Sequence, residues 1–360
     1  MNIVAVLIFS VFAFSSSGMP RLKIVGRSVL NKPLVFSAMN LHEKNINECH
    51  LFVISPKGAT EFYRKLNKVC FDFRPHKIDG KTYYSYVEVK EFIRYAGYIG
   101  PRVILDDKFN EVKRIAEENE MHEFHYLASD HWLGFEIELG RLINGKSYMN
   151  KRLRERKKGE IIFDWGTSDI IAQFGSEAAT YMFQTTFRNE TVAELFHLNA
   201  IQILKNGFLV GLGHDGIGFL DRKTKKLKWV LGGIHDSFNL GLELSPLFNH
   251  TPHLNEETGV LHVFSNRSIQ RINQSYSRVI RYELDLSSLK LKSFKVLRSD
   301  QEIVNLLGSL QVSEGIMNIG FGSKEKADWD FIEADDNGVE SWKIKLDEEL
   351  KVYRFYREPT

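Results

Sequence analysis

Cysteine is scarce in this sequence: only Cys49 and Cys70 occur among 360 residues. That rules out a Cys-x-x-Cys redox or zinc motif. No two histidines stand at His-x-x-x-His spacing, so the helical zinc pair is missing too, and no metal is expected. A Gly-x-Ser-x-Gly elbow is absent, which argues against a serine hydrolase of that type. Neither sign of charge is in excess, with 48 Lys and Arg against 46 Asp and Glu. A dedicated nucleic-acid binder carries a basic surplus, so no nucleic-acid partner is expected. Beyond the first residues no stretch is apolar enough to cross a bilayer. Helical periodicity is rare, with 88–96, 176–183 and 300–307 as the only short candidates.

What the chain does have is 43% hydrophobic and 12% aromatic residues, material for packed sheets. Short runs rich in β-branched and aromatic residues, bounded by Gly, Asn, Asp or Ser, begin near residue 22. Leu51-Phe52-Val53-Ile54, Tyr83 to Val89, Leu209 to Leu212 and Arg278 to Leu284 are examples. A unit made of an Asp-led turn and an alternating strand recurs from Asp107, Asp221, Asp285 and Asp336. In the C-terminal half its spacing of roughly 50 to 65 residues suits four-stranded propeller blades. Ordinary hairpins of a β-sandwich are the alternative.

Residues Ile3 to Phe14 form an apolar run followed by Ser15-Ser16-Ser17-Gly18. It is too short for the ~20 residues of a spanning helix and reads as a secretory signal cut near Gly18. The expectation is a signal peptide over 1–18, one β domain over 19–360, and a secreted or periplasmic location. In such a compartment Cys49 and Cys70 form a disulfide, or they are two free buried thiols. The basic run Lys151 to Lys158 reads as a solvated loop, since no aromatics interleave it. Asn189, Asn249, Asn266 and Asn273 begin Asn-x-Ser/Thr sequons.

Several segments in order resemble the PAPS-independent arylsulfotransferase family. They are Met121-His122-Glu123-Phe124-His125, Phe196-His197-Leu198-Asn199-Ala200-Ile201, and Lys205-Asn206-Gly207 through His214. Phe248-Asn249-His250-Thr251-Pro252-His253, Phe264-Ser265-Asn266-Arg267, and Ser277-Arg278 through Asp285 follow, with Gly308-Ser309-Leu310-Gln311 and Gly320-Phe321-Gly322 in the last part. The resemblance spans about residues 70 to 356. It implies an all-β fold, a six-bladed β-propeller of four-stranded blades with its site in the central channel. It also implies sulfate transfer from an aryl sulfate ester to a phenol without a nucleotide cofactor. Three departures stand out. No histidine follows His262, where the family carries its nucleophile. Residues 322–329 offer Lys and Asp there, Leu212 or Gly213 replaces an arginine, and Leu254 stands where the family has Ala or Asp after the channel histidine.

Sulfuryl transfer needs an imidazole as nucleophile or base and cations around the equatorial oxygens. By the resemblance, His253, His197 and Arg278 are the catalytic candidates, and His122, Asn199, His214 and Arg267 the substrate-binding ones. His197 and Asn199, two apart on a strand, share one face. His214 equally fits a plain turn with Asp215-Gly216, and Arg278 an ion pair within a blade. His250 and His262 read as loop and strand-surface residues, and Trp165, Trp229 and Trp342 as packing between blades. The rival to the enzyme is a non-catalytic propeller that binds a small anionic or aromatic ligand or a protein.

Overall fold

The computed structural model describes residues 19–40, 48–93, 97–142, 144–175, 181–269, 274–300, 308–322, 328–347 and 349–358. The apolar leader and Asn273 lie outside them. The chain folds into sheets arranged as a β-propeller, antiparallel except where Ser147–Lys157 pairs in parallel with Glu190–Leu195. Ala200–Ile203, Gly207–Gly211, Ile217–Asp221 and Lys226–Leu231 make one four-stranded sheet. Asn249–Asn255, Val260–Ile269, Gln274–Asp285 and Lys290–Asp300 make the next. A five-stranded sheet follows, Ser309–Ser313, Ile316–Gly320, Phe331–Asp335 and Glu340–Leu346, with Leu22–Gly26 added at its edge. The last strand, Leu350–Arg357, returns to pair with Leu34–Asn40, in register from Leu34↔Arg357 to Asn40↔Leu350. Cys49–Ile54 and Thr60–Leu66 complete that sheet. The two ends of the chain thus share one sheet, which closes the ring.

Six separate four-stranded blades are not what forms. Four sheets are single blades, whereas the chain from Cys70 to Leu195 makes one continuous ten-stranded sheet. The cause is the strand Glu111–Ala128, which is 18 residues long. Its first part pairs with Gly97–Leu105 and its later part with His131–Arg141. It contains no Gly or Pro that would end it between the two pairings.

In three sheets the recurring Asp-led unit is the hairpin between the third and fourth strands, and near Asp106 it joins Gly97–Leu105 to Glu111–Ala128 within the ten-stranded sheet. Asp221 and Asp285 accept backbone N–H groups two or three residues on, as with Ser287 at 3.0 Å. In the other two units the capping residue is one earlier than the pattern implied. Asp106 caps Lys108 and Asn110, and Asp335 caps Asn337 and Val339, all at 2.8 to 2.9 Å. Such Asx turns fix the hairpin locally.

Three tryptophans lie between the sheets. Trp165 packs with Phe208 and Val210, Trp342 with Phe36 and Phe355, and Trp229 with Leu261 and Tyr282. Cys49 and Cys70 form a disulfide joining two sheets, their Cα atoms 5.6 Å apart. The basic run is no loop: its residues through Lys157 lie on the strand Ser147–Lys157. Arg152 pairs with Asp164 at 2.8 Å, Arg154 with Glu136 at 2.8 Å, and Arg156 with Glu136 at 2.7 Å. The expected helices at 88–96 and 176–183 are also absent where described: Glu91–Ile93 and Tyr181–Phe187 are strands. The longer of the described α-helices, Thr167–Phe174, opens with the Gly166 N–H on Asp169 at 2.9 Å, and a single turn follows at Gly241–Leu244. Residues 301–307 are outside the described set. Of the sequons, Asn249 and Asn266 are buried and Asn189 is exposed in a turn.

Candidate functional site

Six strands ring the propeller axis: Cys70–Ile78, Glu111–Ala128, Ala200–Ile203, Asn249–Asn255, Ser309–Ser313 and Leu350–Arg357. Each touches the next, and the sixth touches the first. At mid-height they carry a buried charge network. Arg74 donates to Asp72 Oδ1 at 2.8 Å and to the Phe124 carbonyl at 2.8 Å, and it also contacts Glu123 and Tyr356. Arg102 holds Asp72 Oδ2 at 2.7 Å, and Arg354 holds Glu123 Oε2 at 2.9 Å. Arg354 also donates to the main-chain carbonyls of His122 and Asn199. Burial raises the Glu123 pKa, but Arg74 and Arg354 outweigh it and bring it down to about 2.

Toward the N-terminal ends of these strands, two histidines meet edge to face. The rings of His122 and His197 lie 4.8 Å apart at 87°. His197 Nδ1 is 2.7 Å from Glu194 Oε1, and His122 Nδ1 contacts Glu120 Oε1. The His122 backbone N–H donates to Glu120 Oε2 at 2.8 Å. Lys151 sits between the glutamates, 3.5 Å from Glu120 and 3.9 Å from Glu194, and donates to the Leu198 carbonyl at 3.0 Å. Each Nδ1 is therefore tied to a carboxylate, which leaves Nε2 as the ring nitrogen available for chemistry.

Burial, reinforced by Lys151, His197 and Arg354, keeps the His122 pKa well below its usual value. Burial also raises Glu120, against Lys151. His250 belongs to this neighbourhood: burial, then Arg354, His197 and His122, lower its pKa well below normal. Tyr353 stacks edge-on at 5.7 Å from His122, and burial keeps its hydroxyl protonated. Tyr353 Oη, His250 Nδ1, Glu194 Oε2 and Arg354 Nε are buried without a hydrogen bond to any described residue. Buried polar atoms are rarely left so, and four in one neighbourhood mark a place for water or a ligand.

Toward the C-terminal ends of the same strands lies a cavity of about 340 Å³, to which all six contribute. His253, His125, Gln311 and Arg357 line it, with Pro252 and Leu310 among its apolar walls.

The residues expected from sequence thus divide between places. His122, His197 and Asn199 come together, with Asn199 donating to the Asn249 carbonyl at 2.6 Å. His253 is not with them; it faces the cavity. Arg278 is buried on the third strand of its sheet, opposite Ser265, removed from the axis. His214 lies in the single turn Gly213–Asp215, and Arg267 opposite Tyr276; their side chains are outside the described set. So are residues 323–327, most of the segment where the family has its distal histidine. Sequence reasoning missed Glu120, Lys151, Tyr353 and Arg354, and placed His250 in a loop although it is buried on the strand Asn249–Asn255. The alternation in Tyr353-Arg354-Phe355-Tyr356-Arg357 was the one available signal for Arg354, an arginine inside an apolar strand. Among the described residues no group of three or more His, Cys, Asp or Glu is arranged to hold a metal.

A β-propeller whose axis carries histidine–carboxylate pairs over a buried arginine network is the class these features define. The family model described as arylsulfotransferase (ASST) matches residues 155–345, more than half of the sequence. The chain belongs to the arylsulfotransferase family. No curated protein matches it in sequence. Among solved structures, two mutants of the Synechocystis apocarotenoid oxygenase align with TM-scores of 0.46 and 0.45 at 9% identity, covering 92% of this chain and 82% of theirs. A computationally designed protein, Ika8, aligns with a TM-score of 0.32 at 10% identity over 89% of this chain and 100% of that one.

Proposed function

We propose that this protein moves a sulfuryl group from an aryl sulfate ester to a phenolic acceptor, without a nucleotide cofactor, at the paired histidines. The observation that carries the reading is the 4.8 Å encounter of His122 and His197, each bound at Nδ1 to its own glutamate. His197 keeps 15% of its side chain exposed and His122 only 4%. His197 is therefore the nucleophile. Its Nε2 lone pair forms a bond to sulfur as the S–O bond breaks, and the pair leaves on the phenolate. The acceptor phenol then attacks sulfur, the N–S bond returns its pair to His197, and His122 Nε2 takes the phenol's proton. That proton finally passes to the released phenolate, so charge balances over the cycle. The Tyr353 hydroxyl and Arg354 supply donors toward the sulfuryl oxygens.

Export with cleavage near Gly18 completes the proposal, and the Cys49–Cys70 disulfide supports an oxidising compartment. No described helix is long and apolar enough to cross a membrane. The second reading, a propeller that binds without turnover, is favoured by the lack of any histidine after His262. An assay with p-nitrophenyl sulfate and phenol separates them. Phenol-dependent nitrophenolate release that falls at least ~100-fold in His197→Ala supports transfer. A well-folded wild type that is silent across several donors and acceptors leaves the binding propeller.

A further inference from the structure

The Asn-x-Ser/Thr sequons meet different fates in the fold, and the structure describes three of them: Asn189, Asn249 and Asn266. We propose that Asn189 is a glycosylation site, its side-chain amide carrying an N-linked oligosaccharide and Thr191 supplying the hydroxyl of the acceptor motif. This rests on the export proposed above and not on the histidine pair.

Asn189 stands at the tip of a hairpin. Phe187 pairs with Glu190, so Arg188 and Asn189 alone form the loop. Their φ values are +49° and +65°, positive at both positions as a two-residue type I′ turn requires, and asparagine tolerates that region. Below the tip, Glu190 is anchored to Arg141 at 3.0 Å and to Ser147 at 2.7 Å. Asn189 and Thr191 are both exposed, and neither side chain makes a hydrogen bond to another described residue. The carboxamide is thus held clear of the sheet on an ordered support.

Asn249 and Asn266 are the contrast. Asn249 is 0% exposed, and its Nδ2 donates to the Gly216 carbonyl at 2.7 Å and the Gly213 carbonyl at 3.0 Å. Asn266 is 4% exposed, and its Oδ1 accepts from the Ser277 hydroxyl at 2.6 Å. Oligosaccharide transfer takes place on the translocating, unfolded chain, so burial does not hide these asparagines from a transferase. It means instead that a chain modified there cannot close its sheets. At Asn249 the sugar would replace an N–H already committed to a carbonyl, and at both positions the packed interior has no room for it. Of the three described sequons, Asn189 alone is compatible with sugar in the native fold. The donor class is an oligosaccharide carried on a lipid pyrophosphate. Asn189 Nδ2 bonds to the anomeric carbon as the carbon–oxygen bond to the pyrophosphate breaks. The electron pair leaves on the phosphate oxygen, and the amide gives up one proton.

The test is expression of the full chain in eukaryotic secretory cells, with peptide mapping before and after an amidase that removes N-linked sugar and leaves an aspartate. The secreted protein should carry sugar at Asn189 and none at Asn249 or Asn266. Asn189→Gly keeps the turn and Thr191→Val keeps the strand, so each should lose that sugar completely and still be secreted. A secreted chain whose Asn189 is bare, or whose Asn249 or Asn266 carries the sugar instead, overturns the site. A second set, with a heterologous secretion signal in place of residues 1–18, separates this outcome from failure of export. Chain that leaves the cell only with the foreign signal refutes the export reading, and its Asn189 still decides the site.

Discussion

Glu123 Oε2 lies 2.9 Å from Arg354 Nη1 at the propeller axis, and the guanidinium is wholly inaccessible to solvent. The pair joins strands from distant parts of the chain, and Arg74 takes the other carboxylate oxygen. Two charges buried this deeply repay their desolvation only through such complete pairing, so removing one partner costs far more than the pair itself contributes. Glu123→Gln should lose about 3–5 kcal/mol of stability in urea unfolding. Its folded-state pKa is depressed to about 2, so its contribution is full above the unfolded value and is lost as pH falls from about 4.3 toward 2. The variant should flatten the stability curve in that window. An unchanged acid limb would show that the pair contributes nothing net.

The buried imidazoles act at higher pH. Burial lowers the pKa of His76, His122 and His250 well below 6.5. Below about pH 6.5 the unfolded chain takes up protons that these native side chains refuse, so stability must fall as pH falls. Each such group steepens the curve by up to about 1.4 kcal/mol per pH unit. His250→Gln should therefore be less pH-sensitive than wild type between pH 6 and 4.5, whatever its absolute stability. Parallel curves from denaturant titrations would contradict the burial of a neutral His250.

The disulfide offers a third check. Cys49 and Cys70 are 21 residues apart and bridge the ring-closing sheet to the ten-stranded one. A loop of that size is worth about 3 kcal/mol in the chain-entropy account. Cys70→Ala should lower the unfolding free energy from urea titration by about that much, and reductant should reproduce the loss in wild type and cause none in the variant. Insensitivity of wild type to reductant under native and unfolding conditions alike would mean that the thiols are free.

Local signals carried into the structure well, and non-local ones did not. The Asp-led turn with an alternating strand is written within ten residues, and it marks one hairpin position in several sheets. The number of separate blades is not local. It depends on whether the strand Glu111–Ala128 breaks, and nothing in its composition says which partner takes each half. His122 and His197 stand in segments that resemble the family, each with a glutamate two or three residues before it. His250 and His253 are a harder case, because the same segment offers two histidines three residues apart. The register slips between them, and Thr251 adopts φ +42°, so the pair cannot share one environment. Arg354 and Tyr353 acquire meaning only when the last strand pairs with Leu34–Asn40, more than 300 residues away.

Gly97 gives the sharpest test of the His122–Glu120 pair, because it acts by shape alone. Its φ is +129°, where side-chain-bearing residues are strained, and it packs directly on the pair. A Cβ there would stand 2.7 Å from Glu120 Oε1 and 3.2 Å from His122 Cε1. Contacts that short cannot persist, and Glu120, held by the His122 backbone N–H, has little room to yield. Gly97→Ala should cost about 1–3 kcal/mol from backbone strain and should displace the imidazole from its carboxylate. If the pair sets up transfer, nitrophenolate release should drop by at least ~10-fold at saturating donor, with kcat falling more than KM rises. A variant of similar stability cost away from the pair, such as Leu261→Ala in the packing between two other sheets, separates loss of fold from loss of geometry. Gly97→Ala retaining full kcat while losing stability would show that the His122–Glu120 contact serves the fold and not the reaction.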